Sequence, residues 1–172
     1  EQGHGPKQIF SSLTPEADSE ELEKLFYEAD AALGFDNVTL FPGVVDCLKE
    51  LSYSGYEIGI VTNRAHSSTK YILERLGIDV FFVSESGDKI IGGDDVSEPK
   101  PSPEGLKKLI RETGFDATKT VFVGDTSGDI IAARLAEVRV IGFSNGLGSP
   151  SGLSKYGASA LFSDYNELPD LL

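Results

Sequence analysis

Thr120-Val121-Phe122-Val123-Gly124-Asp125-Thr126-Ser127-Gly128-Asp129 runs from an apolar stretch into a polar turn, and a helical pattern follows from about Gly128 to Ala136. A short run that is apolar at every position predicts a strand covered on both faces, as in a parallel sheet. The same texture recurs on either side. Ile58-Gly59-Ile60-Val61 ends at Thr62-Asn63-Arg64, and a helix around Thr69 to Leu76 closes at Gly77. Val80-Phe81-Phe82-Val83 reads as another strand, and a helix from Pro103 has Ser102 as N-cap and Gly114 as its stop. Val138 to Phe143 and Ala160-Leu161-Phe162 supply the last two runs. Apolar strands separated by helices predict an α/β architecture with a doubly wound parallel sheet. Ligands of such sheets gather outside the carboxyl ends of the strands, so the polar residues just beyond each run are the candidate site residues.

The first forty residues have a different character. Leu22, Leu25, Phe26, Ala29, Ala32 and Leu33 form one stripe at helical spacing with acids opposite, which predicts an amphipathic helix ending near Gly34. Phe41-Pro42-Gly43 interrupts the pattern before Val44, Val45, Leu48 and Leu51 begin another helix. Cys47 lies beside that apolar face and reads as a buried, inert thiol.

Bulk composition narrows the partners. The 15 basic and 28 acidic residues among 172 give a net charge of −13. Such a surface repels phosphate backbones and anionic lipid, so neither nucleic acid nor membrane is expected as a partner. One cysteine excludes an internal disulfide, and a reducing compartment such as the cytoplasm is expected. No long uncharged apolar run suggests a membrane span, and the start shows no signal-peptide pattern. Nothing selects an oligomeric state.

Three polar segments follow the strands or adjoin them: Thr62-Asn63-Arg64, Asp125 to Asp129, and Glu98-Pro99-Lys100-Pro101-Ser102-Pro103. Each has an ordinary reading. Thr62 suits a strand or a cap, and Lys100 suits a solvated surface. Asp129 suits the first turn of a helix, where the dipole favours an acid by roughly 0.3–1 kcal/mol, and Asp125 suits a cap. Together they offer something more specific. A hydroxyl with nearby N–H groups can hold phosphoryl oxygens, two carboxylates four positions apart can hold a hard cation, and a lysine can neutralise developing charge. Phosphoryl transfer needs those parts, because the protein mainly positions and neutralises.

Ile60-Val61-Thr62-Asn63, the lysine of Pro99-Lys100-Pro101, and Val123-Gly124-Asp125-Thr126-Ser127-Gly128-Asp129 resemble the second, third and fourth motifs of the haloacid dehalogenase superfamily. The phosphoglycolate-phosphatase-like subgroup is the nearest in pattern, and Gly92-Gly93-Asp94-Asp95 and Phe41-Pro42-Gly43-Val44 agree with it. The resemblance implies a Rossmann-like core with a small helical cap, residues 1–40 being part of the cap and 41–172 the core. It implies that Thr62 and the Asn63 backbone hold phosphoryl oxygens, and that Lys100 bridges the nucleophile and the phosphoryl group. It also implies that Asp125 ligates Mg²⁺, while Asp129 supports the metal site through water or by orienting Lys100. Arg64 and His66 lie close in sequence, with solvated or capping roles preferred over substrate contact.

One part of the pattern is missing. The superfamily's first motif is a strand ending in Asp-x-Asp, whose first aspartate is the nucleophile. No Asp-x-Asp occurs in the 172 residues. The resemblance places that strand between those ending at Thr62 and Asp125, so two inner strand edges are expected to lack a partner. Each buried unpaired backbone group costs about 1–3 kcal/mol, against a total stability of about 5–15 kcal/mol. The expectation is therefore a fragment or partial record of a Mg²⁺-dependent phosphatase for a small phosphorylated metabolite, itself inactive. The alternatives are a non-catalytic phosphate- and metal-binding relative and a sugar-phosphate mutase.

Overall fold

The computed structural model describes residues 38–85 and 87–172, with isolated positions between 11 and 29. Of the amphipathic stripe expected before residue 34, Leu22 is half-buried, whereas Leu25 and Ala29 are exposed; Phe26, Ala32 and Leu33 lie outside the described residues.

Among the described residues, helix α1 (Val44–Tyr53) starts after Gly43 and buries Cys47 and Leu51. Burial raises the Cys47 thiol above its usual range, and neighbouring Glu50 adds to the effect, as an inert thiol requires. Strand β1 (Ile60–Val61) leads to α2 (His66–Leu76), which Gly77 closes in the left-handed conformation. A short antiparallel hairpin, β2 (Val83–Ser84) with β3 (Gly87–Asp88), precedes β4 (Ile90–Ile91). Helix α3 (Glu104–Thr113) follows the lysine loop, and β5 (Val121–Gly124) leads directly to α4 (Ser127–Leu135). The chain finishes with β6 (Arg139–Phe143), α5 (Pro150–Tyr156) and β7 (Ala160–Phe162).

The α/β reading holds, with two corrections of detail. Val80 to Val83 is not a strand of the parallel sheet: Asp79–Phe82 is a 3₁₀ turn that inserts Phe82 among Leu73, Ile78 and Ile90. The parallel partner of β1 is instead β4, in the register Ile60 with Ile90 and Val61 with Ile91. A two-residue strand is too short to show a period, so Ile90-Ile91 carried little sequence signal. Ser102 is not at the formal cap position, which Pro103 occupies, yet its hydroxyl accepts from the Glu104 N–H at 3.3 Å.

Two parallel groups of strands result: β4 beside β1, and β5-β6-β7. Successive residues of β6 face opposite sides. Val140 joins a core with Leu106, Leu109, Ile130 and Leu153, from α3, α4 and α5, while Ile141 joins Cys47, Leu51 and Phe162. Val61 and Ile91 share the first of these cores, so both strand groups are packed under the same helices. Among the described residues, no strand pairs with the remaining edge of β1 or of β5. A cleft of about 1010 Å³ separates them, walled by Ile58 to Thr62 on one side and Val121 to Asp125 on the other.

Candidate active site

Both β1 and β5 run toward the same end of that cleft, and their polar extensions meet there. Thr62, Asn63, Lys100, Asp125, Thr126 and Asp129 all line it. The chain brings them together by backbone anchors first. The Thr62 N–H donates to the Ile91 carbonyl at 3.0 Å, continuing the β1–β4 pairing by one residue. The Thr62 hydroxyl then accepts from the Arg64 N–H at 3.1 Å, which tightens the turn beyond it.

Asn63 holds the lysine loop. Its side-chain amide donates to the Lys100 carbonyl at 2.9 Å, and its oxygen accepts from the Lys100 N–H at 2.8 Å. One amide side chain therefore satisfies both backbone groups of Lys100 across 37 residues of sequence. The Lys100 ammonium donates to the Val61 carbonyl at 2.8 Å and pairs with Asp129 Oδ1 at 2.7 Å, and it lies 5.6 Å from the centre of the Phe122 ring. It thus ties the carboxyl end of β1 to the start of α4.

Asp129 is committed to the protein through both oxygens. Oδ2 accepts from the Thr126 N–H at 2.9 Å, from its hydroxyl at 2.7 Å, and more weakly from the Asp125 N–H at 3.3 Å. The Thr126 hydroxyl accepts in turn from the Asp129 N–H, completing a capping box. Burial alone would raise the Asp129 carboxyl, but the Lys100 ammonium and the Thr126 donors outweigh it and hold the group below the usual carboxylate range. Gly124 allows this approach: a Cβ there would lie 2.2 Å from the Asp129 Cβ. Gly124→Ala is expected to push Asp129 away and destabilise the protein by about 1–3 kcal/mol, a loss that chemical denaturation measures directly.

Asp125 is oriented by a loop that sequence reading passed over. Its Oδ2 accepts from the Leu147 N–H at 2.8 Å, and its carbonyl accepts from the Gly148 N–H at 2.8 Å. Gly146 faces the same carboxylate so closely that a Cβ would lie 2.3 Å from Asp125 Oδ2. The signal was the polar and glycine-rich stretch Ser144-Asn145-Gly146-Leu147-Gly148 directly after an apolar strand. Asp125 Oδ1 has no protein donor among the described residues. A free carboxylate oxygen at the mouth of a cleft fits a hard cation such as Mg²⁺, which takes few carboxylates together with water and phosphate. Asp129, with both oxygens engaged, fits a support rather than a ligand.

Arg64 and His66 do not line the cleft. The Arg64 carbonyl accepts from the Gly93 N–H at 2.8 Å, and His66 opens α2 with its ring between Asp88 and Asp95. Asp94 and Asp95 are thereby held against the start of α2.

Comparison with known proteins bears on the family. A phosphoglycolate phosphatase of Salmonella choleraesuis (strain SC-B67) is 32% identical over 147 residues, covering 86% of this chain and 56% of its own length. A second, the plasmid phosphoglycolate phosphatase of Cupriavidus necator, is 30% identical over 162 residues, covering 94% of this chain and 68% of itself. The chain thus spans little more than half the length of the Salmonella relative. Among solved structures, a predicted phosphoglycolate phosphatase from Haemophilus somnus 129PT superposes with a TM-score of 0.72 at 26% identity, over 89% of this chain and 64% of that one. The profile of the haloacid dehalogenase-like hydrolases matches residues 2–143, and with these relatives and this fold the chain belongs to that family.

Proposed function

We propose that residues 41–172 form the phosphate- and cation-binding core of a cytoplasmic phosphatase that hydrolyses a small phosphomonoester, of the phosphoglycolate type, with residues 1–40 contributing to its cap. The observation that supports this best is the placement of the Lys100 ammonium, 2.7 Å from Asp129 and 2.8 Å from the Val61 carbonyl, at the cleft that separates β1 from β5. The relatives named phosphoglycolate phosphatases support the substrate class.

In this reading a strand carrying an aspartate fills the cleft and delivers its carboxylate to the ring of polar groups. The carboxylate oxygen attacks phosphorus as the ester P–O bond breaks, and the leaving alkoxide takes a proton from the second aspartate of the same Asp-x-Asp strand. Water then attacks the aspartyl-phosphate and gives its proton back to that second aspartate, releasing inorganic phosphate and restoring the nucleophilic carboxylate. The Thr62 hydroxyl and the Asn63 N–H hold the phosphoryl oxygens in place. The Lys100 ammonium, oriented by Asp129 and Asn63, stabilises the charge that spreads over them. Asp125 holds Mg²⁺, which when bound supplies further neutralisation of the phosphoryl oxygens.

Steady-state hydrolysis of a panel of small phosphate esters, with and without Mg²⁺, tests the proposal on the protein completed by that strand. Turnover that requires Mg²⁺ and prefers short carboxylated esters is expected. Metal-independent turnover, or none on any ester, would remove it.

A further inference from the structure

We infer that His66 is a positioning residue: its ring, clamped between Asp88 and Asp95, holds the turn that carries Thr62 and Asn63 against the segment Gly92–Asp95, so that oxyanion binding at Thr62 depends on whether the ring is protonated. The inference deepens the phosphatase reading and rests on it for the oxyanion. The geometry behind it is independent of that reading.

Four contacts join the turn to residues Ile91–Asp95. Besides Thr62 to Ile91, the Gly93 N–H donates to the Arg64 carbonyl at 2.8 Å and the His66 N–H donates to Asp94 Oδ1 at 2.7 Å. The fourth is the ring itself, with Nδ1 2.7 Å from Asp95 Oδ2, while Nε2 lies 3.3 Å from Asp88 Oδ2. The fit leaves no slack, because a Cβ on Gly92 would lie 2.4 Å from the His66 backbone nitrogen. Asp95 Oδ2 is fixed in its turn by the Gly92 N–H at 2.7 Å.

A neutral imidazole has only one N–H, so it can donate to one carboxylate while its bare nitrogen faces the other. The imidazolium donates to both. The charged groups facing the clamp are Asp88 on β3, Asp94 and Asp95 on the turn before the lysine loop, Lys70 on α2, and Lys108 on α3. Lys70 lies 3.5 Å from Asp88, and Lys108 donates to the Asp95 carbonyl at 2.7 Å. Partial burial would lower the His66 pKa, but the hydrogen bonds and charges of Asp95 and Asp88 outweigh it and raise the group above 6.5. Because the folded value is raised, the clamp is complete below the ordinary histidine pKa. It is lost as pH rises through the raised one.

NMR titration of the full chain reads the clamp directly. The His66 ring is expected to titrate above 6.5, and the Arg64, His66 and Gly93 amides are expected to shift with the same midpoint. Asp88→Asn, which leaves the Asp95 contact intact, should lower that midpoint while the amides continue to follow it. His66→Gln should remove the transition from all three amides. Sulfate, whose charge is constant across the range, should bind about threefold more weakly once the ring is neutral, and His66→Gln should abolish this pH dependence. A ring midpoint at or below the ordinary value, or amides indifferent to it, overturns the clamp. Amides that follow the ring without sulfate binding at any pH would uphold the clamp and sink the phosphate site.

Discussion

Asp125→Ala is expected to lower the turnover of the completed enzyme on the order of 10³-fold or more, because it removes the carboxylate proposed to hold the cation. The effect should be catalytic rather than structural. Asp125 makes two contacts to the Leu147–Gly148 loop, and only the one from the Leu147 N–H to Oδ2 is lost on truncation, since the Gly148 N–H donates to the backbone carbonyl. The thermal midpoint should therefore fall little while turnover collapses. Added Mg²⁺ should not restore the rate. Steady-state kinetics across a Mg²⁺ titration check the result, and a variant with normal turnover would show that the cation is held elsewhere.

Asp129→Ala should behave in the opposite manner, unfolding the site as well as silencing it. The Lys100–Asp129 pair is largely withdrawn from water, its side chains being 14% and 8% exposed. Removing one partner of a buried pair leaves the other charge uncompensated, at a cost of about 3–5 kcal/mol. The Thr126 N–H and hydroxyl lose their acceptor at the same time. Asp129→Asn keeps an oxygen for the cap and should cost less. The same group sets an acid limit. Its folded pKa lies below the ordinary 3.8, so its contribution is fully present above that value and fades as pH falls through the depressed one. Urea denaturation at neutral pH and again below pH 3.8 measures both effects. Equal stability of the wild type and Asp129→Ala at neutral pH would show that the pair contributes nothing.

The parallel sheet was legible because strands covered on both faces are apolar at every position, as Val121 to Val123 and Val140 to Phe143 are. The convergence of Thr62, Lys100 and Asp125 was legible because each follows an apolar run or a rigid Pro-flanked loop, and strand ends of such sheets share one edge. What escaped was carried by pairs distant in sequence. Ile90-Ile91 has no period of its own and is a strand only because Ile60-Val61 pairs with it. Val80 to Val83 has strand composition, yet its place in the core is reached by one 3₁₀ turn around Phe82. The family resemblance implies a backbone role for Asn63, whereas its side chain secures Lys100. The Gly146–Gly148 loop and the Asp88–His66–Asp95 clamp likewise join residues about twenty or more positions apart, beyond the reach of any local pattern.

The proposed catalysis depends on the cleft between β1 and β5 being the seat of a strand that completes the catalytic set. The most direct measurement is Mg²⁺-dependent phosphomonoester hydrolysis by residues 1–172 alone, beside the same residues joined to a parallel apolar strand ending in Asp-x-Asp. Turnover only in the completed protein is predicted. Robust Mg²⁺-dependent turnover by residues 1–172 alone, or silence from both, would contradict it.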